Sequence, residues 1–398
     1  MRDRLFFITY TILIGIVYIL AIPILTILQK AKLKYKESIK ARFFLIDNPP
    51  LEPDGVWFHS CSYGEAKAIY PILDNLPNSI IRLTTTTQTG YSAIYKKNPK
   101  NSRYLPFEIL LFRWIKPQKI LIVVEAELWY LLFLLAKRYG AKTVLINGRV
   151  SDRSYPRYKK FAWLYKQIFK NIDEVYAQTN IDKSRLESLG AKNIKVIGNI
   201  KLYNIQKPTR TLIKPEGILI SAGSTHKNEE KLILKAFLEF KKINPNSKIA
   251  VAPRHPERFK EVEELIDNFT QLNRLSWHKF LDRDDFNSDI ILINTLGELI
   301  NIYAISDIVI LGGAFEPYGG HNFAEPAQFR CKIITGEYYF NQIDIFKMVK
   351  GIEVTSKDKL ANSLLNYKNI DKAEIKRNTD IEPILKSIEK ELKNGKSV

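Results

Sequence analysis

Two acidic motifs in the first half of the chain could perform acid–base chemistry. Glu65 ends the motif His-Ser-Cys-Ser-Tyr-Gly-Glu, directly after a predicted strand and at the start of a predicted helix. Such a carboxylate is often only a partner of the helix dipole, but at the mouth of a cleft it could take a proton from a sugar hydroxyl. Glu125 and Glu127 follow another apolar run. Because neighbouring carboxylates at a sheet edge are costly without a partner, a functional role or an arginine partner is favoured for them.

Polar and glycine-rich loops follow the strands predicted in the second half. They contain Ser224, His226, Pro253, Arg254, His255, Leu296, Gly297, Glu298, Gly312, Gly313, Gly319, Gly320, His321, Asn322, Phe323, Ala324 and Glu325. Glycines let the backbone approach a phosphate closely, and the N–H groups at the start of the next helix bind it. Each match alone is weak, but four of the five histidines lie in the loops that carry the motifs of the two halves. Together the loops of the second half predict a phosphate-binding site, where Glu325 could accept hydrogen bonds from ribose hydroxyls.

A metal site is not favoured. The histidines come from different loops, without a pair at helical ligand spacing. Cys61 and Cys331 lie far apart in sequence, which supports neither a disulfide scaffold nor a thiolate zinc site. The Asp-Arg-Asp sequence at 282–284 resembles the Asp-x-Asp of metal-dependent sugar transferases, but its charged, unpatterned loop favours a solvated turn. We therefore expect no metal and no cofactor.

The elements that must position these residues alternate in type. Short apolar runs and longer amphipathic stretches follow one another, as in parallel sheets with crossover helices. Strands are predicted at 55–59, 80–85, 119–124, 143–146, 174–177, 194–197, 217–222, 248–251, 290–292, 308–311 and 332–335, and the helices between them include 64–76 and 322–329. Residues 201–215 contain two prolines and no periodicity, and are the predicted linker. We expect an α/β protein whose Rossmann-like domains, 30–200 and 216–398, face each other across a cleft, with ligands at the carboxyl ends of the strands.

The N-terminus predicts a membrane anchor over residues 1–29. No charged residue occurs among the 24 residues from Leu5 to Leu28, and a helix of that length spans roughly 36 Å, more than the ~30 Å hydrocarbon core. No small-x-small cleavage site follows, so a retained single-pass anchor is favoured over a signal peptide. A basic flank follows, opposed only by Glu37, and consists of Lys30, Lys32, Lys34, Lys36, Lys40 and Arg42. The positive-inside rule therefore predicts that the rest of the chain is cytoplasmic.

Positive charge is concentrated in the first half. Residues 1–200 carry 31 basic and 15 acidic side chains, a net of +16, whereas residues 201–398 carry 30 and 27, a net of +3. This asymmetry indicates an anionic partner for the first half: nucleic acid, an acidic membrane surface or a phosphorylated substrate.

The motifs, in their order, resemble the bacterial 3-deoxy-D-manno-octulosonic acid (Kdo) transferases. The similarity extends from about residue 57 to 345 and rests on His-Ser-x-Ser-x-Gly-Glu, Glu-x-Glu-Leu-Trp, Ser-Thr-His, Pro-Arg-His-Pro-Glu-Arg-Phe, Gly-Glu-Leu and Gly-Gly-His-Asn. The resemblance implies a GT-B fold and an inverting transfer of Kdo from CMP-Kdo to a lipid A precursor in lipopolysaccharide core synthesis. The expected partners are thus CMP-Kdo, a phosphorylated lipid A precursor and an anionic membrane surface.

The resemblance also implies residue roles. Glu65 matches the catalytic base, and Glu127 and Lys201 match positions that steady the transition state. The residues expected to bind CMP-Kdo are Ser224, His226, Pro253, Arg254, Leu296, Gly297, Glu298, Asn322, Phe323, Ala324 and Glu325. The family's Lys-Phe-Asp is Lys-Leu-Tyr here, starting at Lys201, and its Asn-Ala-Arg-Leu-Ser is Asn-Gly-Arg-Val-Ser at 147–151.

Two other functions remain open at this point. Another membrane-associated GT-B enzyme could transfer a different nucleotide sugar to a different lipid. A membrane-tethered nucleic-acid binder could use the basic half, but no recognition-helix or zinc pattern supports it, and nucleic acid is not expected as a partner.

Overall fold

The computed structural model describes residues 2–31, 36–125, 127–203, 205–376 and 379–394. Lys32 and Lys34 of the basic flank, and Ala126 between the two acidic residues, lie outside them. The chain divides into two compact units, residues 1–204 with 378–398, and residues 205–377.

The first unit is built on a seven-stranded parallel sheet of order β3-β2-β1-β4-β5-β6-β7. Its strands are β1 (Val56–Ser60), β2 (Ile81–Thr85), β3 (Ser102–Tyr104), β4 (Ile120–Val124), β5 (Lys142–Gly148), β6 (Glu174–Ala177) and β7 (Ile194–Val196). Every residue of β1, β2 and β4 is buried, because strands covered by helices on both faces read as continuous apolar runs. The strand order reverses between β1 and β4, where ligands bind in sheets of this kind.

The helices of the first unit cover both faces of this sheet. They are α1 (Arg2–Ala31), α2 (Lys36–Phe44), α3 (Tyr63–Ala68), α4 (Tyr70–Leu73), α5 (Gln88–Lys97), α6 (Leu111–Trp114), α7 (Tyr130–Arg138), α8 (Tyr155–Lys160), α9 (Ala162–Phe169) and α10 (Asn180–Ser188). The single helix predicted over 64–76 is thus divided at Ile69. Pro71 in the first turn of α4 explains the division, since proline has no N–H for a continuous helix.

The second unit has a seven-stranded parallel sheet of order β10-β11-β9-β8-β12-β13-β15 and a two-stranded antiparallel sheet, β14-β16. The strands are β8 (Leu219–Thr225), β9 (Lys248–Pro253), β10 (Trp277–Lys279), β11 (Ile290–Leu292), β12 (Ile308–Leu311), β13 (Lys332–Thr335), β14 (Val349–Lys350), β15 (Ile352–Val354) and β16 (Glu374–Ile375). The helices are α11 (Glu229–Ile243), α12 (Phe259–Asn273), α13 (Leu299–Tyr303), α14 (Ala324–Ala327), α15 (Ile343–Met348) and α16 (Leu360–Leu365).

The C-terminal helix, α17 (Glu382–Asn394), belongs to the first unit. Ile384 and Ile388 are buried in the core that also contains Val56 and Phe58 of β1. The Tyr176 hydroxyl donates to the Pro383 carbonyl at 2.9 Å. The second domain therefore does not run to residue 398 as the sequence predicted, because the apolar face of α17 is buried in the first core.

The predicted linker, residues 201–215, is also divided differently. Leu212 is buried in a core of the second unit. Arg210 contacts Asp284 at 2.8 Å and Glu298 at 3.1 Å, which are both in that unit. The boundary between the units lies at residue 204, and the residues after it pack on the second unit instead of forming a free connection.

The N-terminal helix α1 has the length and apolarity that the sequence predicted. Among the described residues, the segment Asp3–Gln29 is the one helix long and apolar enough to cross a membrane, with a mean hydropathy of 2.7.

Candidate active site

Glu65 lies in the first turn of α3, just beyond the carboxyl end of β1. Ser62 caps this helix: its hydroxyl oxygen accepts from the Glu65 N–H at 3.3 Å, and its O–H donates to Glu65 Oε1 at 2.9 Å. The backbone N–H of Cys61 donates to Glu65 Oε2 at 2.7 Å. The arrangement is a variant of the capping box, and it fixes the orientation of the carboxylate.

The pKa of Glu65 lies above its ordinary value. Burial raises it, and the nearby negative charge of Glu125 raises it further. The N–H of Cys61, the Ser62 hydroxyl and the Lys201 charge act in the opposite direction without overcoming that effect. A carboxylate whose pKa is raised toward neutrality accepts a proton more readily, which is what a general base requires.

Glu127 is held in the opposite state. Burial disfavours its charge, but the His59 imidazole and the Trp129 indole N–H lower the pKa of Glu127 to about 2. The indole N–H donates to Glu127 Oε2 at 2.7 Å, and His59 Nε2 lies 3.8 Å from the same oxygen. A carboxylate with so low a pKa is a weak base and a persistent negative charge. The two carboxylates that the sequence singled out therefore differ in the chemistry they can do.

Lys201 contacts Glu125. Its Nζ lies 2.5 Å from Glu125 Oε1, and the side-chain amide of Asn147 donates to that oxygen at 3.1 Å. Asn147 Oδ1 also accepts from the Ile200 N–H at 3.0 Å, which ties the end of β5 to the turn that carries Lys201. Sequence analysis favoured a functional role or an arginine partner for Glu125, and the structure gives it Lys201 as its partner. It gave no role to Asn147, although Asn147 begins the Asn-Gly-Arg-Val-Ser segment.

The threonine-rich turn after β2 supports the Glu65 loop. The hydroxyls of Thr85 and Thr87 both donate to the Cys61 carbonyl, at 3.1 and 2.6 Å. Thr87 also caps α5 by accepting from the Gly90 N–H at 3.2 Å. A Cβ on Gly90 would lie only 2.3 Å from the Thr85 hydroxyl. The turn and the Glu65 loop are therefore locked together.

In the second unit, two buried carboxylates that sequence reasoning missed hold the loops. Glu229 accepts from the N–H groups of His226, Gly313 and Phe315 at 2.8 to 3.0 Å, which joins the loops after β8 and β12. Glu230 forms a two-point ion pair with Arg258, at 2.7 and 3.0 Å. Nothing in the local sequence distinguished these carboxylates from ordinary acids in the first turn of a helix.

Arg254 directly follows the carboxyl end of β9, and two contacts fix the loop that carries it. Its backbone N–H donates to the Thr225 carbonyl at 3.0 Å, and Arg258 of the same motif binds Glu230. The Arg254 side chain itself is exposed. Its charge opposes the burial that raises the pKa of Glu325 and adds to the burial that lowers the pKa of His321. Arg254, His321 and Glu325 therefore share one electrostatic environment.

Three histidines meet in this region. His226 Nε2 lies 2.9 Å from His321 Nε2, and the His226 ring stacks on Tyr318 and meets the edge of His255. Burial and neighbouring positive charges lower the pKa of His321 to about 3 and also lower the pKa of His226. Both rings are thus neutral near pH 7 and supply no charge, and in the contact between them one Nε2 donates its proton to the other.

The helix predicted over 322–329 is shorter in the structure, where it is α14 (Ala324–Ala327). The Asn322 amide donates to Glu325 Oε1 at 3.2 Å, and its carbonyl oxygen accepts from the Ala324 N–H at 3.0 Å. Phe323 and Ala324 are fully buried, so their side chains are not accessible to a ligand and only their backbone could contact one. At Gly313, where φ is +73°, a Cβ would lie 2.8 Å from the His321 ring, and glycine is therefore required.

The remaining donor-site candidates lie at neighbouring strand ends. Ser224, with a left-handed φ of 53°, lies at a register shift one residue before the end of β8, and Pro253 is buried at the end of β9. Leu296 is exposed, and Gly297 has a φ of +92°. The Glu298 carboxylate accepts from Arg210 and from the Asn301 amide, at 3.1 and 2.9 Å. Within the part of the chain that the structure describes, no three His, Cys, Asp or Glu side chains are grouped as metal ligands.

Comparison with known proteins identifies the same family that the sequence motifs resemble. Residues 37–204 match the family model described as 3-deoxy-D-manno-octulosonic-acid transferase (kdotransferase). The 3-deoxy-D-manno-octulosonic acid transferase of Haemophilus influenzae is 32% identical over 394 residues, which cover 90% of each chain. A bifunctional glycosyltransferase/methyltransferase of Fusobacterium nucleatum is 31% identical over 369 residues, 85% of this chain, and the chain spans 56% of that protein's length.

A solved structure resembles part of the chain. It is the C-terminal CMP-Kdo binding domain of WaaA from Acinetobacter baumannii, with 23% identity and a TM-score of 0.34, covering 46% of this chain and 90% of that domain. The full-length similarity to the H. influenzae enzyme decides the family. The chain belongs to the Kdo transferases, which are glycosyltransferases of the GT-B fold.

Proposed function

We propose that this Kdo transferase moves Kdo from CMP-Kdo to a hydroxyl of a phosphorylated lipid A precursor of the lipid IVA type, with inversion and with Glu65 as the general base. The observation that carries the proposal is the contrast between Glu65, whose pKa is raised, and Glu127, whose pKa is lowered to about 2. Separating the pKa values of two neighbouring carboxylates assigns them different roles in acid–base chemistry.

In the proposed reaction, Glu65 takes the proton of the acceptor hydroxyl as the hydroxyl oxygen attacks the anomeric carbon of Kdo. The new C–O bond forms while the bond from that carbon to the CMP phosphate oxygen breaks, and the phosphate leaves with the electron pair. Such a step depends on orientation and on stabilising the phosphate charge. Arg254 supplies positive charge beside the neutral histidines, and Glu127 and the Lys201–Glu125 pair shape the field around the base.

The acceptor proposal is supported by a cavity of about 830 Å³ in the first unit. Thr86 and Thr87, from the turn that binds the Glu65 loop, line the cavity together with the apolar side chains of Ile39 and Phe43. Arg42 also lines it, and it donates to the Leu105 and Thr86 carbonyls at 3.1 and 3.3 Å. A phosphorylated sugar with acyl chains has polar, anionic and apolar parts, which complement the polar, cationic and apolar side chains of this lining.

One experiment tests the proposal as a whole. Purified protein is incubated with CMP-Kdo and a lipid A precursor, and the lipid is analysed by mass spectrometry. We expect products heavier than the precursor by one or more Kdo residues. The proposed donor and acceptor would both be wrong if CMP-Kdo left the precursor unmodified and the protein instead transferred sugar from a UDP-sugar to another lipid.

For the donor site, we expect Arg254→Ala to weaken the binding of CMP. Loss of a charge-assisted contact to phosphate costs about 1.5–3 kcal/mol, which corresponds to roughly 10–150-fold weaker affinity. Isothermal titration calorimetry measures this directly, with Lys260→Ala, an exposed cation on α12, as the control. Unchanged CMP affinity in Arg254→Ala would mean that the arginine does not touch the phosphate.

For the base, we expect Lys201→Met to move the acidic limb of the pH profile of kcat/KM to higher pH. Lys201 lowers the pKa of Glu65, and it also neutralises Glu125, whose charge raises that pKa. Without Lys201 the pKa of Glu65 rises further, so activity is lost mainly at acidic pH and recovers as the pH increases. Lys195→Met, on exposed β7, is the control. If activity falls by the same factor at every pH, Lys201 does not control the pKa of Glu65.

We also propose that the enzyme acts at the inner membrane with both units on the cytoplasmic side. The support is the apolar α1 helix, the basic flank and the net charge of +16 in residues 1–200, which match an anionic cytoplasmic leaflet.

A further inference from the structure

The N-terminal helix α1 is docked on the first unit along its whole length. Its half-buried positions recur every three or four residues, singly or as adjacent pairs, from Phe6 and Phe7 at one end to Leu28 and Gln29 at the other. This spacing defines one continuous face of an α-helix. This face contacts the first unit, so the helix is not a flexible connection.

Specific contacts anchor the first part of the helix. Asp3 forms an ion pair with Lys170, just after α9, at 2.6 Å. The Phe6 ring meets the rings of Tyr130 and Trp163 edge to face, at centroid distances of 4.9 and 6.0 Å. Farther along, the Tyr10 hydroxyl donates to the buried carboxylate of Glu108 at 2.6 Å.

Further contacts hold the second part of the helix. The Tyr18 hydroxyl donates to the Phe43 carbonyl at 2.5 Å, and the Tyr18 ring stacks on Phe107 at 5.8 Å. Leu28 lines the cavity of the first unit together with Ile39 of α2. From Asp3 to Leu28 the docked length is about 37 Å at 1.5 Å per residue.

A helix docked in this way cannot stand across a bilayer without taking its neighbours into the hydrocarbon. The elements beside its first half include α7 and α9, with Lys170 and with Arg138, whose guanidinium lies 4.4 Å from the centre of the Phe7 ring. Charged side chains and irregular backbone are strongly disfavoured at membrane depth.

The opposite face of α1 is exposed and apolar. It carries ten exposed aliphatic side chains, from Leu5 to Ile27. Exposed aromatic side chains that touch the docked face extend this apolar surface on the catalytic unit, Phe112 beside Phe7 and Trp163 beside Phe6. A tryptophan at the edge of an apolar surface is typical of the membrane–water interface.

Exposed cations border the same surface. Arg113 follows Phe112 on α6, and Lys159 and Lys160 of α8 precede Trp163 by a few residues. An apolar stripe bordered by cations and aromatic rings matches a helix that lies at the boundary between the headgroups and the acyl chains of an anionic leaflet.

We propose that α1 lies in the plane of the membrane, with its exposed face in the outer acyl layer of an anionic leaflet and its docked face on the catalytic unit. This attachment replaces the single-pass span expected from composition. It leaves Met1 and the C-terminus on the same side of the membrane. The proposal does not depend on which sugar or acceptor the enzyme uses.

Fluorescence depth measurements test the orientation. The full chain, with Cys61 and Cys331 replaced by alanine, receives a single cysteine in place of Leu5, Ile16 or Ile27, which are all exposed. Each is labelled with NBD and bound to vesicles of phosphatidylethanolamine and phosphatidylglycerol that contain brominated lipids. We expect the same shallow depth at all three positions. A middle position clearly deeper than the two ends, or failure of the unlabelled chain to bind these vesicles, would overturn the proposal.

An independent test locates the N-terminus. One short epitope is placed before Met1 and another after Val398, and spheroplasts expressing the protein are treated with protease from outside. We expect both epitopes to survive and both to be lost once the membrane is opened by detergent. Loss of the N-terminal epitope alone in intact spheroplasts would show that α1 crosses the membrane. Neither readout involves sugar transfer, so a failure here is distinguishable from a failure of the proposed activity.

Discussion

Glu65→Gln is expected to reduce the turnover of CMP-Kdo by about 100- to 10,000-fold, the usual effect of removing a general base. The amide fits the same position. Its oxygen keeps the hydrogen bond from the Cys61 N–H, and its NH₂ group can donate to the Ser62 hydroxyl, which now accepts. The substitution therefore removes the ability to take a proton while the cap of α3 remains.

The free energy of unfolding of Glu65→Gln should not fall with its turnover. Because the pKa of Glu65 is raised in the folded state, the folded protein binds a proton there more readily than the unfolded chain. The ionised carboxylate thus lowers stability at neutral pH, and that loss is recovered as the pH falls through the folded-state pKa. We expect Glu65→Gln to unfold at neutral pH with a free energy equal to or higher than that of the wild type.

The chain contains a matched control for this experiment. Asp182 occupies the equivalent position in α10: Thr179 caps the helix, accepts from the Asp182 N–H at 3.1 Å and donates to the Asp182 carboxylate at 2.6 Å. Asp182→Asn should leave turnover within a few-fold of the wild type. If Glu65→Gln behaves in the same way, Glu65 is only a helix cap, and Glu127 is the next carboxylate to test.

Arg258→Ala is expected to lower the free energy of unfolding by about 3 kcal/mol. Removing one partner of a buried ion pair costs about 3–5 kcal/mol because the other charge is left without compensation. The Glu230 side chain is 1% exposed and accepts both hydrogen bonds from Arg258, whereas the Arg258 side chain is 14% exposed. The small exposure of the arginine places the expected loss at the low end of that range.

Urea denaturation monitored with and without CMP measures this effect. Replacing both partners, Arg258→Met with Glu230→Leu, should recover much of the lost stability, because no buried charge is then left unpaired. Arg254→Ala is the matched comparison from the same motif and should weaken CMP binding with little loss of stability. Equal stability losses in Arg254→Ala and Arg258→Ala would contradict the division of the motif into a binding and a positioning arginine.

The sequence by itself determined the two parallel sheets and the position of Glu65 at the start of a helix that follows β1. The inner strands of each sheet are buried on both faces, so they appear as continuous apolar runs, and the predicted strands lie within a few residues of the observed ones. The Ser62–Glu65 cap is equally local, because both its residues lie within one helical turn. Of the four edge strands of the two large sheets, β7 was predicted, whereas β3, β10 and β15, of three residues each, escaped prediction. Such strands owe their conformation to a neighbouring strand that the local sequence does not show.

Contacts between distant parts of the chain were decided by the tertiary structure alone. The amphipathic pattern of α17 predicts an apolar face but not which core receives it, and burial of Ile384 and Ile388 assigns it to the first unit. Lys201 and Glu125 are 76 positions apart, and their pairing depends on Asn147 at the end of a third strand. Composition likewise gave the length and apolarity of α1 but not its docked face. Nearly all of its side chains are apolar, so only packing against the catalytic unit distinguishes one face from the other.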